Sequence, residues 1–301
     1  MSNYEYHKPV LLHQTVDGLA INPSGTYVDV TFGGGGHSRE ILNRLNDQGR
    51  LFAFDQDADA QANAIEDSRF TLIPENFRYI KRFLRFYGVK KVDGILGDFG
   101  VSSHQFNEAE RGFSTRFNGR LDMRMNQNDS LSAYQVINTY DEAQLRDMFY
   151  AYADLKNAPK LARTIVAARA EAPIVTSQQL NDLLTPLLFK GKEFKILAQI
   201  YQAIRIEVNQ EIESLKEFLS QTPELLNPGG RISLISYHSL EDRLVKRFVR
   251  NGLFQGEPEK DMFGRVEVPF KKVGKLIVPT PQEVQENNRA RSAKLRIGVR
   301  L

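Results

Sequence analysis

A run of six residues rich in β-branched and aromatic types, Tyr27-Val28-Asp29-Val30-Thr31-Phe32, leads straight into Gly33-Gly34-Gly35-Gly36, and residues 38–45 then have helical character. A strand that meets four residues without side chains has nothing left to pack, so strand, glycine turn and helix follow one another. A second buried run, Leu51-Phe52-Ala53-Phe54, comes after Gln48-Gly49 and stops at Asp55. Residues 70–73 predict a third strand, and Val92-Asp93-Gly94-Ile95-Leu96-Gly97 predicts a fourth that ends on Asp98. Strands alternating with helical stretches at this spacing predict right-handed βαβ units and a parallel sheet, an α/β chain.

The alternation fails from about residue 106 to 200, where helical patterns replace strands at 141–150, 159–170 and 176–188. Thr176 and Gln179 have the spacing of a capping box. From Lys195 onward Ile196, Ile200, Ile204, Val208 and Ile212 recur every four residues, an apolar stripe expected to return the chain to the sheet and pack on it. Leu226-Asn227-Pro228-Gly229-Gly230-Arg231 reads as a turn before a strand at 232–236, followed by a helix at 240–250. Irregular structure is expected at 254–281, with short strand candidates at 266–270 and 276–278, before a final strand at 293–299. The expected division is a cofactor-binding domain of residues 1–105 and 201–301 and an inserted all-helical domain of residues 106–200.

Composition narrows the function. With no cysteine, the chain has no disulfide framework, thiolate metal site or thiol nucleophile, and no metal is expected. No apolar run approaches the ~18 residues of a membrane span, and Met1-Ser2-Asn3-Tyr4-Glu5 lacks a basic-to-apolar leader, which together predict a soluble, cytoplasmic protein. The net charge of +3 is uneven, because residues 240–301 hold 14 Lys/Arg against 8 Asp/Glu and the remainder holds 26 against 29. A basic C-terminal end attracts phosphate backbones, although a solubilising surface has the same composition.

The glycine run lets backbone amides at a helix start approach a ligand closely, but with Ser38 it does not complete G-x-G-x-x-G. Asp55 strengthens the reading, because an acid at the end of the second strand, roughly 20 residues beyond the loop, is placed to accept ribose hydroxyls. A nucleoside-bearing cofactor is implied, either a nicotinamide dinucleotide or S-adenosylmethionine. The Pro-Gly-Gly-Arg turn and the acid Asp98 favour the latter, although a strand-end Asp also serves as a turn cap.

Along nearly its whole length the chain resembles the ribosomal small subunit methyltransferase H family. The matching segments include His7-Lys8-Pro9-Val10-Leu11-Leu12, Thr31-Phe32-Gly33-Gly34-Gly35-Gly36-His37-Ser38, Asp55-Gln56-Asp57, Asn76-Phe77, Gly100-Val101-Ser102-Ser103 and Glu110-Arg111-Gly112-Phe113-Ser114. They continue through Leu121-Asp122-Met123-Arg124-Met125, Gln202-Ala203-Ile204-Arg205-Ile206, Tyr237-His238-Ser239-Leu240-Glu241-Asp242-Arg243 and Arg289-Ala290-Arg291-Ser292-Ala293-Lys294-Leu295-Arg296. The resemblance implies a Rossmann-like class I methyltransferase sheet and N4-methylation of a decoding-centre (P-site) cytidine of 16S ribosomal RNA, with the RNA presented within the small ribosomal subunit. It also implies that Gly35, Gly36 and His37 contact S-adenosylmethionine, that Asp55 holds its ribose, that Phe77 lies near its adenine, and that Asp98 and Gln105 complete the site. The chain departs from the family where Leu-Asp-Leu is replaced by Gly97-Asp98-Phe99, where Tyr-Gly-Glu-Glu is replaced by Tyr152-Ala153-Asp154-Leu155, and where a Pro is replaced by Asn288.

Methyl transfer to an exocyclic amine needs alignment and exclusion of water more than covalent chemistry. An acceptor near Asp98 or the Tyr237-His238 turn is expected to hold the amino group, with neutral His238 a candidate proton acceptor. The competing reading makes Ser239 the N-cap of the next helix, with Asp242 reciprocating. Phe113, between Arg111 and Arg116, is a candidate base stacker, and Arg289, Arg291, Lys294 and Arg296 are candidate phosphate contacts, against a buried anchor and a charged edge strand respectively. The two rival functions are a nicotinamide-dependent oxidoreductase and a non-catalytic RNA-binding assembly factor. The oligomeric state stays open, a homodimer included.

Overall fold

A computed structural model describes residues 9–301, so residues 1–8, with the Met1–Glu5 segment read as lacking a leader and the His7-Lys8 of the first matching motif, lie outside the described residues. The chain forms two compact units, Met1–Gly100 with Ile212–Leu301, and Val101–Glu211.

The first unit is built on seven strands, β1 (Thr26–Asp29), β2 (Arg50–Phe54), β3 (Phe70–Ile73), β4 (Val92–Asp98), β5 (Leu226–Ser236), β6 (Phe270–Ile277) and β7 (Lys294–Arg300), in the order β3-β2-β1-β4-β5-β7-β6. The first five run parallel, and β7 is antiparallel to both of its neighbours. Strands buried on both faces are apolar throughout rather than alternating. Accordingly Val28, Phe52, Phe54 and Ile95 pack on one side with Leu84 and Phe218, while Tyr27, Leu51 and Leu96 pack on the other with Val16 and Ile41.

Three local departures from the sequence reading have simple causes. β1 ends at Asp29 instead of continuing to Phe32, because the Asp29 carboxylate accepts the amide of Thr31 at 3.1 Å and bends the chain. The Pro-Gly-Gly segment lies inside β5 as a bulge: Leu226 pairs with Val92, then Arg231 with Gly94. The two short candidates near 266–278 are one strand, Phe270–Ile277, whose pairing with β7 skips a register at Gly274 (φ 65°).

The second unit is helical. Its segments Ala133–Thr139, Glu142–Ala153, Ala158–Glu171, Ser177–Leu184 and Glu193–Asn209 surround a core that includes Ile137, Phe149, Leu161, Ile165, Leu180 and Ile200. Capping boxes start three of these helices, at Ser132 with Gln135, Asp141 with Gln144 and Thr176 with Gln179. The stripe Ile196, Ile200, Ile204 and Val208 belongs to this core and not to the sheet. The chain breaks at Gln210 (φ 49°), and Ile212 lies in the separate helix Glu211–Leu225, whose Leu215 and Phe218 cover the sheet. Leu155, standing where the family's second acid is usual, is buried in the helical core behind the left-handed cap Asp154. Among the described residues no helix is long and apolar enough to cross a membrane.

Candidate active site at the carboxyl rim of the sheet

In an open parallel sheet, ligands bind beyond the carboxyl ends of the strands where the strand order reverses. Here that point lies between β1 and β4, whose neighbours β2 and β5 extend in opposite directions. Three carboxylates stand at these strand ends: Asp29 closes β1, Asp55 follows β2 and Asp98 closes β4.

Asp55 secures the glycine turn. Its Oδ2 accepts the amide of Gly33 at 2.7 Å and its Oδ1 the amide of Asp57 at 2.9 Å. Each oxygen retains a lone pair for a ligand hydroxyl. Burial outweighs these bonds and pushes the carboxyl up to about 6, with Asp57 and Asp29 adding negative charge. The turn needs glycine at Gly35, where φ is 76° and a Cβ would sit 2.9 Å from the Phe32 ring. The helix Gly36–Arg44 starts directly after it, presenting amides whose helical partners are missing.

His37 is not a charged ligand. Burial pushes its imidazole down to about 4, and Nε2 lies 3.2 Å from the Val10 carbonyl. The 3.9 Å between Nδ1 and Asp98 Oδ2 is therefore a contact with a neutral ring and not an ion pair. With the ring turned inward, the group left for a ligand is the backbone amide at the helix start.

Asp98 is the most perturbed of the three. Tyr237, just beyond β5, donates its hydroxyl to Oδ1 at 2.7 Å, and the Asp98 amide donates to Thr31 Oγ1 at 2.7 Å. Burial pushes the carboxyl up to about 7 against the Tyr237 bond, and the negative charges of Asp29 and Glu241 raise it further. Burial and the same carboxylate hold the Tyr237 hydroxyl well above its ordinary value. Asp98 does not cap a turn; its bond joins the end of β4 to the residue that follows β5.

Asp29 is a functional candidate absent from the sequence reading. It is fully buried, accepts Ser38 Oγ at 2.7 Å, and rises to about 6 through burial. Its signal is an acid set within the apolar run Val28-Asp29-Val30. Through Thr31 it links the glycine turn to Asp98.

Phe77 is half-buried, with its ring 5.5 Å from Phe218 and 5.7 Å from Phe99. Gln105 belongs to the helical unit, where it is buried and its Oε1 accepts the Ser102 amide at 3.0 Å in a capping box.

Two sequence expectations are corrected. His238, and not Ser239, is the N-cap of the helix Ser239–Asn251, with Glu241 as its reciprocal partner. Nδ1 of His238 accepts the Glu241 amide at 3.4 Å, and Nε2 stands 3.0 Å from Glu241 Oε1. Both ring nitrogens thus face Glu241, and the side chain is 8% exposed, which argues for a capping role over a catalytic one. Phe113 is 5% exposed within the helical core, with Arg111 Cζ 5.9 Å from its ring centroid, and offers no face for stacking.

The C-terminal basic residues divide. β7 is interior, flanked by β5 and β6, and not an edge. Arg296 Nε donates to Asp242 Oδ1 at 2.7 Å and Lys294 lies 3.4 Å from Oδ2, which neutralises part of that charge. Arg291 is exposed and Arg289 half-buried on the short helix Asn288–Ser292.

A Rossmann-like sheet with an antiparallel seventh strand, carrying a glycine turn and strand-end acids at its switch point, defines the class I methyltransferase architecture. The chain belongs to the MraW methylase family, whose model it matches over residues 4–300. It is 75% identical to the ribosomal RNA small subunit methyltransferase H of Christiangramia forsetii over 99% of this chain and 98% of that protein. It is 66% identical to the protein of that name from Flavobacterium johnsoniae, over 99% and 98% of the two chains. For Phocaeicola vulgatus the identity is 55%, over 97% and 96%.

Proposed function

We propose that the protein transfers the methyl group of S-adenosylmethionine to N4 of a decoding-centre cytidine in 16S ribosomal RNA, acting on the small ribosomal subunit in the cytoplasm. The observation that carries this is the row of Asp29, Asp55 and Asp98 along three neighbouring strand ends, with Asp55 and Asp98 raised to about 6 and about 7. Acids withdrawn from bulk water, with no Lys or Arg partner among the described residues, fit a ligand bearing a sulfonium and an ammonium. Kinship with methylases argues for the same ligand over the nicotinamide dinucleotide of the oxidoreductase alternative.

When bound, S-adenosylmethionine supplies an electrophilic methyl for in-line displacement. Asp55 accepts the ribose hydroxyls on its remaining lone pairs, Gly35 lets the backbone approach the ligand while its own amide closes the turn on the Phe32 carbonyl, the amides of Gly36 and His37 meet the ligand at the helix start, and Phe77 gives an aromatic wall for adenine. Asp98, its Oδ1 fixed by Tyr237, offers its negative charge to the ligand's cation and its other oxygen to the reacting amine, so that the lone pair of N4 is aimed at the methyl carbon. A carboxylate near neutrality in this position also accepts the proton that the amine loses. Arg289, Arg291 and Lys294 meet RNA phosphates.

The test is methyl incorporation into small subunits from cells lacking the protein, followed by nucleoside analysis. N4-methylcytidine at one site, abolished in Asp98→Asn, is expected. Methyl found on another base, or no methyl with the ligand bound, would remove the N4 assignment.

A further inference from the structure

Residues 78–91, Arg78-Tyr79-Ile80-Lys81-Arg82-Phe83-Leu84-Arg85-Phe86-Tyr87-Gly88-Val89-Lys90-Lys91, contain six Lys/Arg and no Asp/Glu. The helix Ile80–Phe86 turns Ile80 and Leu84 into the core, which directs its charged positions outward. Phe86, at the end of this helix, is 79% exposed. Exposed rings also occur at Phe189, Phe194 and Phe263, and a lone surface ring needs no explanation; Phe86 differs in standing within a run of six cations and no acid. It stands edge-on to Tyr87 at 5.2 Å, and Tyr87 leans in turn on the core residue Phe52 at 5.7 Å, so the exposed ring has a rigid support.

Beside it lies a cleft of about 510 Å³, lined by Lys81, Arg85, Lys90 and Lys91, with Glu224 the single acid. Glu224 is bonded by Lys81, and Arg85 is 3.6 Å from its other oxygen. These cations hold its carboxyl below the usual range, so at neutral pH a fixed anion occupies the cleft. Arg82 and Lys90 are exposed, and neither has a carboxylate partner among the described residues. Lys90 and Lys91 stand just before β4, at the end opposite Asp98. Seven residues of strand place them roughly 20 Å from the reacting rim.

We propose that this helix and turn form a second RNA-binding surface, which stacks an unpaired base on Phe86 and takes the adjoining phosphates at Arg82, Lys90 and the Lys81–Arg85 cleft. The inference rests on the reading that the substrate is RNA. Aromatic faces beside cations recognise unpaired nucleotides without needing a base-edge code. Glu224 acts as an intramolecular stand-in for phosphate, which RNA displaces from its two cations. A surface some distance from the target base, roughly 20 Å along the strand, gives the enzyme a grip on folded RNA that a free nucleotide lacks.

Full-length protein is titrated with small subunits isolated from cells lacking it, over a range of salt, with calorimetry of S-adenosylmethionine and methyl transfer run in parallel. Phe86→Ala should weaken subunit binding at least about fivefold without changing its salt dependence. Arg82→Ala with Lys90→Ala should flatten the slope of log affinity against log salt by about 1.4, from roughly 0.7 per lost phosphate contact. Glu224→Gln should tighten binding, the opposite sign from damage to a merely structural ion pair. S-adenosylmethionine affinity should stay unchanged in all three. Unaltered binding in Phe86→Ala and in the double variant, or weakened binding in Glu224→Gln, overturns the proposal. So does loss of binding to phosphatidylglycerol vesicles in these variants while subunit binding persists. If the wild-type protein binds subunits through this surface but methylates nothing, the proposed reaction fails and the surface stands; methylation with an unaffected surface gives the reverse.

Discussion

Tyr237 and Asp98 join the ends of β5 and β4 through one 2.7 Å hydrogen bond, in which the phenol donates to Oδ1 of a carboxyl pushed up to about 7. The bond restrains a group whose surroundings otherwise favour its neutral form, since burial, Asp29 and Glu241 all raise it. A cation is held by the ionised form, so affinity for S-adenosylmethionine should rise as pH climbs through about 7. A hydrogen bond to a charged group contributes about 1.5–3 kcal/mol, and one pKa unit corresponds to about 1.4 kcal/mol. Tyr237→Phe should therefore move the midpoint of affinity against pH upward by about 1–2 units, costing roughly tenfold at about pH 7 and little at about pH 9. Calorimetry across this range reads the shift directly; an unmoved midpoint would show that Tyr237 does not tune Asp98.

The same carboxyl makes a prediction about stability. Its folded value of about 7 lies above the ordinary 3.8, so between about pH 4 and pH 7 the folded chain keeps a proton that the unfolded chain has released. Ionising Asp98 costs the folded state progressively over that window, and fully above it. Asp98→Asn should thus raise the ligand-free melting temperature at about pH 8 by several degrees, on the order of 1–3 kcal/mol, and leave it unchanged near pH 4. The variant should also lose S-adenosylmethionine binding. A scanning-calorimetry trace for Asp98→Asn that melts below the wild type at that alkaline pH would contradict this account.

His238 separates capping from chemistry. Its Nδ1 takes the Glu241 amide at the start of the helix Ser239–Asn251, a duty that Asn performs equally well. Replacing an N-cap by Ala typically costs about 1 kcal/mol. His238→Ala should lower the melting temperature by a few degrees, and His238→Asn should restore it, with the single-turnover methyl-transfer rate at saturating ligand kept in both. A rate that falls at least tenfold in His238→Asn, with the melting temperature intact, would return the imidazole to the reaction.

Much of this arrangement is legible in the residues. The glycine turn, Asp55 and Asp98 are readable because each interrupts an apolar run at its carboxyl end, where a parallel sheet concentrates chemistry. The stripe from Ile196 to Val208 is recognisable as helix, but its partner is not, since periodicity reports which face is apolar and not what covers it. Phe113 and His238 depart from expectation for a related reason. Their types suit stacking and proton transfer, whereas their roles are decided by burial at 5% exposure and by a backbone amide three residues on. Phe86 escapes a reading of the residues because a hydrophobic side chain in an amphipathic helix is normally core, and here the core positions are Ile80 and Leu84.

Gly97 and Phe99, two departures from the Leu-Asp-Leu that the resemblance leads one to expect, stand in contact. A Cβ at Gly97 would stand 2.9 Å from Phe99 Cζ and 3.1 Å from Val30 Cγ2, so the Phe99 ring occupies the space a side chain at 97 would need. That ring cannot swing away cheaply, being packed 5.7 Å from Phe77 and 6.1 Å from Phe218. Gly97→Leu alone should cost about 1–3 kcal/mol by overpacking, and Phe99→Leu alone a similar amount through the void it leaves. With both substitutions present, the side chain added at position 97 fills the space that the ring at position 99 vacates, so the double variant should be more stable than the sum of the singles by at least about 1 kcal/mol. Phe99→Leu alone should also weaken S-adenosylmethionine binding, because Phe77 loses the ring that braces it. Denaturant titration of the four proteins closes the cycle, and strict additivity would mean that Gly97 and Phe99 were exchanged independently.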